Sequence, residues 1–372
     1  MKLVYPFPEP LPLARARGIQ TVNTVRAIAA QGIAVTLAYV PAGADPFDAY
    51  AVPRPDNVEL AAVSHRLPWP LQRVHSNSIF GARLARRLRA AGAAAFLARH
   101  LKIARLLGER FARTPLVYEA HEVFADTVAP ARRAGMLALE ARVVERASAL
   151  VANSAATARR LRELYRIAAP LEVIPNGVDY PEVAPAKDWS RAQDGVIYAG
   201  SFFGWKGVED LVAAAARLPG FRVRILGGDD AGIARLRARV AERGARVDFA
   251  GRVPHAQVMA ELARACIAVL PNRADPDSAF TSPIKLFEYM AAGCALVVSD
   301  LPSLREVLDP DEAAWVAPGD ATALAAAIRA LADDPARASR MGERVREKAR
   351  RYTWSARGER LARTLRPLLE RR

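Results

Sequence analysis

The chain is poor in several residue types, and each shortage excludes a class of protein. Its 372 residues include two cysteines, Cys266 and Cys294, and both lie in apolar runs. Two thiols cannot build the disulfide framework of a small secreted domain or a multi-cysteine zinc site. We interpret them as buried thiols of a cytoplasmic protein. No apolar run reaches the roughly 18 residues of a membrane-spanning helix, and the opening MKLVYPFPEP is too short and too proline-rich for a signal peptide.

Acidic residues are scarce relative to basic ones. There are 39 Asp and Glu against 54 Lys and Arg, which gives a formal net charge of +15. Such a charge attracts acidic substrates, anionic membrane surfaces or nucleic acid. No nucleic-acid-binding motif accompanies the charge, so we expect no nucleic-acid partner.

The length exceeds what one ordinary hydrophobic core supports, whereas 52% hydrophobic and 25% charged residues are globular values. Strand patterns alternate with helix patterns along the chain, which is typical of doubly wound parallel sheets. We therefore predict an α/β fold in which two doubly wound, Rossmann-like domains face one another across a cleft.

The most informative stretch covers residues 281–308, with the sequence TSPIKLFEYMAAGCALVVSDLPSLREVL. Pro283 suits the first position of a helix, and Gly293 suits its end. Lys285 and Glu288 are three residues apart, so they are neighbours on one helix surface. The N-terminus of that helix favours anions. A short apolar run after Gly293 predicts a buried strand.

The chain opens with a predicted strand from Lys2 to Tyr5, an extended loop with prolines at every second position, and a helix at 21–31. Gly18 precedes that helix and would let the backbone approach a diphosphate closely. An ordinary loop glycine is the alternative reading. Because the dinucleotide fingerprint needs three glycines here, a nicotinamide-dependent oxidoreductase is disfavoured.

A histidine follows the predicted buried strand at 116–118. Because ligands bind at the carboxyl ends of parallel strands, His121 is the best site candidate of the first half, against a core or capping histidine. Glu119 comes just before it, and Arg99 and His100 follow the preceding strand in the same way. These three residues are weaker candidates.

Basic residues dominate two predicted helices between Arg83 and Arg113. This stretch contains nine Lys or Arg and one acid, Glu109. A basic helical face can lie on an anionic membrane surface. A solvated face on an arginine-rich protein is the alternative.

Four motifs together resemble the GT-B-type glycosyltransferases, in particular the retaining family 4. They are the stretch at 281–308, YAGSFFGWKG at 198–207, VIPNGVD at 173–179 and DFAGRV at 248–253, in the family's order. The resemblance implies an acceptor-side Rossmann-like domain at 1–180 and a nucleotide-sugar donor-binding domain at 181–352. It also implies a C-terminal helix at 353–372 that crosses back to the first domain.

The resemblance also implies roles for single residues. Lys206 is the main cation on the leaving diphosphate, Glu288 binds the ribose hydroxyls, and His121 faces the donor sugar. Arg99, His100 and Glu119 are acceptor-side candidates. Further donor contacts are implied at Gly18, Gly200, Ser201, Arg252, Val253, Ser282, Pro283, Ile284 and Lys285.

The chain departs from the family at two positions. Phe280 stands eight residues before Glu288, where the family usually has an acid, and Ser201 stands where many members have arginine. These departures keep open a non-catalytic nucleotide-sugar-binding or scaffolding protein. An epimerase on the same scaffold is a further alternative.

The resemblance implies transfer of a sugar from a UDP- or GDP-sugar to a carbohydrate or lipid-linked acceptor, with retention of configuration. The expected products are surface polysaccharide, lipopolysaccharide or glycolipid, made in the cytoplasm or at the inner face of the membrane. No cofactor or metal is expected, so protein cations must stabilise the leaving phosphate. Asp275-Pro-Asp277 has the acid-x-acid spacing of metal-dependent glycosyltransferases, but it lies among turn formers, and we interpret it as a loop.

Overall fold

The computed structural model describes residues 2–13, 16–67, 76–275 and 284–370. It divides into two compact units, Met1–Gly177 with Trp354–Arg372, and Val178–Thr353. Each unit contains one parallel sheet with helices between its strands. The parallel sheets match the predicted α/β class. Within the described residues, no helix is both long enough and apolar enough to cross a membrane.

The first unit holds a seven-stranded sheet in the order β3-β2-β1-β4-β5-β6-β7. The strand order reverses between β1 and β4, and an open sheet of this kind binds ligands beyond the carboxyl ends at such a reversal. The strands are β1 (Lys2–Leu11), β2 (Ala34–Pro41), β3 (Val58–Ala62), β4 (Ala95–Ala98), β5 (Leu116–Ala120), β6 (Ala149–Ala152) and β7 (Leu171–Val173).

Helices of the first unit follow these strands, and the last one comes from the C-terminus. That last helix packs against α1 and contributes Leu361 and Leu365 to the same hydrophobic core as Val25 and Ile28. The helices are α1 (Ala16–Ala29), α2 (Pro46–Ala49), α3 (Asn77–Ala91), α4 (Leu101–Arg110), α5 (Phe124–Thr127), α6 (Pro130–Arg146), α7 (Ala155–Leu164) and α15 (Trp354–Glu370).

Strand β1 is longer than predicted, because the proline-rich segment continues it instead of forming a loop. β1 pairs with β2 as far as Leu11, whereas its pairing with β4 ends at Val4. Successive strand residues direct their N–H groups to opposite neighbours, so prolines two apart lack donors on one side only. The missing donors of Pro6, Pro8 and Pro10 therefore fall on the side that β4 does not reach.

The second unit holds a six-stranded sheet in the order β10-β9-β8-β11-β12-β13, with its reversal between β8 and β11. Its strands are β8 (Val196–Ala199), β9 (Val223–Leu226), β10 (Val247–Gly251), β11 (Ile267–Leu270), β12 (Ala295–Ser299) and β13 (Ala314–Val316). Its helices are α8 (Val208–Ala215), α9 (Asp230–Arg243), α10 (His255–Arg264), α11 (Ile284–Ala291), α12 (Pro302–Arg305), α13 (Ala321–Ala332) and α14 (Pro335–Ala349).

Candidate functional site

A carboxylate with two basic partners lies near the start of α11 in the second unit. Lys285 Nζ is 2.7 Å from Glu288 Oε2, as their spacing predicts, and His255 Nε2 is 3.1 Å from Oε1. Burial alone would raise the pKa of Glu288, but Lys285 and His255 outweigh it and lower this pKa to about 2. Glu288 is therefore a stable carboxylate with both oxygens oriented.

Lys206 ends a short 3₁₀ turn, Gly204–Lys206, that follows β8. Its ammonium lies 3.9 Å from the centroid of the Trp205 ring. Burial, and secondly the charge of Lys285, lower the pKa of Lys206 to about 8. Two cations thus act on one another at the ligand edge of the second sheet, which favours a ligand with several negative charges.

Contacts of neighbouring residues fix the loop that carries Lys206. Gly207 has φ +66°, and a Cβ there would lie 1.8 Å from the Pro271 carbonyl oxygen, so only glycine fits. The Arg273 amide donates to the Trp205 carbonyl at 2.7 Å, and its guanidinium forms a bidentate pair with Asp210 at 2.7 and 2.8 Å. These contacts fix the backbone on which Lys206 stands.

The backbone ends of β8, β9 and β10 are joined by hydrogen bonds. Gly200 N–H donates to Leu226 O at 3.0 Å, and Tyr198 OH donates to Ser201 O at 2.7 Å. The exposed Arg252 donates to Gly228 O at 3.2 Å, and half-buried Val253 follows it. Beside them, a cavity of about 350 Å³ lies between Asp230, Ile233 and Arg237 of α9 and Phe249, Ala250 and Gly251 of β10.

In the first unit, Glu119 lies inside β5 and not after it, because this strand extends to Ala120. Its Oε2 accepts from Tyr5 OH at 2.7 Å, and its Oε1 forms a short ion pair with Arg357 of α15. The same Oε1 is 3.2 Å from His121 Nε2. Burial raises the pKa of Glu119, but His121, Arg357 and Arg99 outweigh it and hold the pKa below its usual range.

His121 belongs to a network of polar groups that includes Gln20 of α1, Arg99 after β4 and Asn176 after β7. The Gln20 amide nitrogen lies 3.3 Å from His121 Nε2 and 3.4 Å from His121 Nδ1. The same nitrogen donates to Asn176 Oδ1 at 2.7 Å, and the Gln20 side-chain oxygen accepts from Arg99. Burial and Arg99 lower the pKa of His121 to about 4. His121 is therefore neutral at neutral pH. Sequence reasoning missed Gln20, Tyr5 and Arg357 here.

The remaining predicted residues fall into different places. His100 precedes α4 and lies 2.8 Å from Asn77 Nδ2, and burial lowers its pKa to about 4. Gly18 lies in the first turn of α1, not in a loop, and a Cβ there would be 2.1 Å from Tyr50 OH. This contact explains the glycine without a ligand. Ile284 begins the described part of α11, whereas Ser282 and Pro283 lie outside the described residues, as do Phe280 and Asp277.

Sequence reasoning also missed His255, although a signal was present. His255 begins α10 just beyond the carboxyl end of β10, which is the same kind of position that identified His121. Among the described residues, no group of three or more His, Cys, Asp or Glu side chains is arranged to hold a metal ion.

Family models match nearly the whole chain in two consecutive parts. The model described as glycosyltransferase family 4 matches residues 18–180, and the model described as glycosyl transferases group 1 matches residues 184–348. The chain belongs to the glycosyl transferases group 1 family. The glycogen synthase of Mycobacterium tuberculosis is 33% identical over 223 residues, 57% of this chain and 52% of that protein. The chain thus spans about half the length of this curated relative.

Solved structures of similar fold cover the chain almost completely. The sucrose-phosphate synthase from Thermosynechococcus elongatus has a TM-score of 0.80 at 21% identity, covering 99% of this chain and 98% of that one. Anabaena Alr3699/HepE in complex with UDP and glucose has a TM-score of 0.74 at 19% identity, covering 98% and 99%. At such identities the likeness concerns the fold alone, and it confirms the predicted GT-B class.

Proposed function

We propose that this family member transfers a sugar from a nucleoside-diphosphate sugar, without a metal ion, to a carbohydrate or lipid-linked acceptor, and retains the anomeric configuration. The observation that carries the proposal is the group formed by Lys206, Lys285 and Glu288 at the ligand edge of the second sheet. A UDP-sugar is the first donor to test, because the similar Anabaena structure contains UDP and glucose. A GDP-sugar is the second.

The two lysines supply what departure of a diphosphate needs. Negative charge grows on the leaving phosphate as the anomeric C–O bond breaks, and positioned cations stabilise that charge. Lys206 has a pKa near 8 in the free protein, and an adjacent diphosphate would raise this pKa and restore its full charge. Lys285 adds a second cation, and the backbone N–H of Ser201 is assigned as a further donor, since that of Gly200 already donates to Leu226 O. The leaving phosphate itself then helps to take the acceptor proton.

Glu288 is assigned to the ribose of the donor. A carboxylate accepts two hydroxyl hydrogen bonds, and the partners of Glu288 keep it ionised well below neutral pH. The nucleobase of the donor is assigned to the segment of Arg252 and Val253, next to the cavity beside β10. These roles account for one end of the donor.

His121 is assigned to the transferred sugar. A neutral imidazole can exchange hydrogen bonds with sugar hydroxyls without adding charge, and the low pKa of His121 keeps it neutral. Glu119 was an acceptor-side candidate, but both of its oxygens are engaged by protein groups. Arg99 and His100 remain the acceptor-side candidates of this proposal.

The basic helices support the part of the proposal that concerns a lipid-linked acceptor and a peripheral position at the inner face of the membrane. α3 and α4 pack against one another and expose basic side chains. Anionic headgroups attract each such side chain by about 1 kcal/mol near the surface. The exposed basic residues are Arg86, Arg87, Arg89, Lys102, Arg105, Arg110 and Arg113.

The first test is a thermal-shift screen against UDP, GDP, ADP, CMP and their sugars, with EDTA throughout. A ligand that binds only the native state raises its melting temperature by mass action. We expect a shift with one nucleoside diphosphate that persists in EDTA and is lost in Glu288→Ala. Turnover of the matching sugar donor with added acceptors then tests the transfer itself.

Donor turnover separates the proposal from its alternative, a non-catalytic nucleotide-sugar-binding protein. That alternative is favoured by Phe280, which replaces the usual acid. Binding without donor turnover, over a panel of sugar and lipid-linked acceptors, would support it. A shift that requires a divalent cation would contradict the metal-free mechanism.

A further inference from the structure

Arg357 is a buried cation that the C-terminal helix inserts beneath the sheet edge of the first unit. It is 3% exposed and lies in the first turn of α15. Nη1 donates to the carbonyls of Ile174 and Pro175 at 2.7 Å each, and Nε lies 3.3 Å from Thr24 Oγ1. Nη2 makes the short contact with Glu119. All three nitrogens of the guanidinium thus have partners, as a buried arginine requires.

The contact with Glu119 extends directly to His121. One oxygen, Oε1, receives both Arg357 and the imidazole Nε2, whereas Tyr5 holds the other oxygen. Because Nε2 faces a carboxylate, it carries the ring proton and leaves Nδ1 as the acceptor. If the Glu119 carboxylate rotated away or became protonated, it would no longer favour this tautomer. Arg357 opposes both changes through its ion pair with Glu119 Oε1.

We propose that Arg357 is a positioning residue: the last helix supplies the buried cation that keeps Glu119 in place as the acceptor of the His121 ring proton. The proposal rests on the proposed function, since it concerns the residue assigned to the transferred sugar. It also gives the C-terminal helix a part in the chemistry of the site, beyond its packing on α1.

The charged groups around His121 determine what the loss of Arg357 does to its titration. They are Glu119 of β5, Arg99 after β4 and Arg357 of α15; Gln20 and Asn176 are neutral. Arg99 and Arg357 both disfavour the imidazolium, and Glu119 favours it. Removing the charge of Arg357 alone would raise the pKa of His121, whereas losing Glu119 as its ionised acceptor would lower that pKa. A positioning role therefore predicts a lower pKa of His121, and a cation that contributes only its charge predicts a higher one.

The test compares Arg357→Gln, Arg357→Lys and the matched control Arg360→Gln. Arg360 lies one turn further along α15 and binds the Val173 carbonyl, so its replacement removes the same charge from the same helix without touching Glu119. The first readout is the NMR titration of the His121 ring, assigned with His121→Gln. The second is donor turnover, separated into kcat and KM over a range of pH.

We expect Arg357→Gln to lower the pKa of His121, because the imidazolium loses the carboxylate that stabilises it. We also expect it to lower kcat at least tenfold with little change in the KM of the donor. Arg357→Lys should recover part of both, and Arg360→Gln should match wild type. A raised or unchanged pKa of His121 would overturn the proposal, as would a kcat within twofold of wild type or an Arg360→Gln effect equal to that of Arg357→Gln.

The combination of titration and turnover distinguishes two further outcomes. If wild type transfers no sugar, the proposed function fails, but the titration of His121 still tests the positioning role. If Arg357→Gln does not fold, Arg357→Lys decides, because it keeps the charge but loses the fork of donors. A lysine variant with wild-type His121 titration and wild-type turnover would support the charge as the active property, and wild-type titration with lost turnover would contradict the proposal.

Discussion

Both units contain a buried glutamate with a histidine and a cation, yet the two clusters are built differently. In the first unit the cation is Arg357, 238 residues from Glu119, and the side chains of both are 1% exposed. In the second unit the cation is Lys285, three residues from Glu288, and its side chain is 31% exposed. His255 is 35% exposed, whereas His121 is 13% exposed.

This difference separates a carboxylate that holds the structure from one that is free to serve a ligand. A buried pair that loses one partner leaves an uncompensated charge, which is strongly destabilising. A half-exposed lysine or histidine can turn to water when its partner is taken. Glu119 is therefore committed to its protein contacts, whereas Glu288 can exchange Lys285 or His255 for the hydroxyls of a ligand.

The largest contrast is expected in stability, on replacing each glutamate by glutamine. Glu119→Gln leaves Arg357 buried without a counter-charge and should cost about 3 kcal/mol. Glu288→Gln leaves partners that reach water and should cost about 1 kcal/mol or less. Urea unfolding, monitored by hydrogen exchange of amides in each unit, measures both losses of stability. Equal losses would mean that the two carboxylates have the same structural role.

For turnover we expect the opposite order, in which substitutions in the second unit cause the larger losses. Lys206→Ala removes the cation that we assign to the diphosphate and should lower kcat/KM by about 10²–10³-fold, since positioned charges of this kind contribute that much. Lys2→Ala is the matched control, because Lys2 pairs with Glu59 on the surface. Activity of Lys206→Ala within a few-fold of wild type would contradict the phosphate assignment. Melting temperatures check that the fold survives.

The pH profile of kcat/KM should carry one limb from each unit. Activity should fall as pH drops through about 4, where His121 becomes charged, and fall again above about 8, where Lys206 loses its proton. Lys206→Arg should remove the upper limb, because arginine keeps its charge. The kcat profile should have its upper limb at higher pH, since the bound donor favours charged Lys206. An upper limb that persists in Lys206→Arg would assign it to another group.

The smallest effect is expected at His255. It contributes to orienting Glu288 from a half-exposed position, and Lys285 remains when it is removed. His255→Ala should raise the KM of the donor about threefold, the loss of one exposed contact, and leave kcat unchanged. Steady-state kinetics with varied donor measures this. A fall in kcat similar to that of Lys206→Ala would place His255 on the reacting phosphate.

The second unit could be predicted from sequence further than the first, because its site depends on local relations. Lys285 and Glu288 meet through helix spacing alone, and Gly207 ends the turn that presents Lys206. His255 follows β10 in the way that His121 follows β5, so the same relation to a strand end identifies it. Such features need no knowledge of distant contacts.

The first site depends on contacts that no local pattern contains. Tyr5, Gln20 and Arg357 come from β1, α1 and α15 and converge on Glu119 and His121 only through the packing of the unit. From sequence, Glu119 was predicted to follow its strand and to contact a ligand. The alternating prolines of β1 were misjudged for a related reason, since they are tolerated only because β4 ends early.

The low pKa of Lys206 also makes this residue a chemical reporter. An amine with a pKa near 8 is partly unprotonated at pH 7.5, so it reacts with acylating reagents when ordinary lysines, with pKa values near 10.4, remain protected by their protons. Brief acylation followed by peptide mass spectrometry should modify Lys206 ahead of the surface lysines. A bound diphosphate would cover and protonate the amine, so protection from labelling measures occupancy of the site without any turnover.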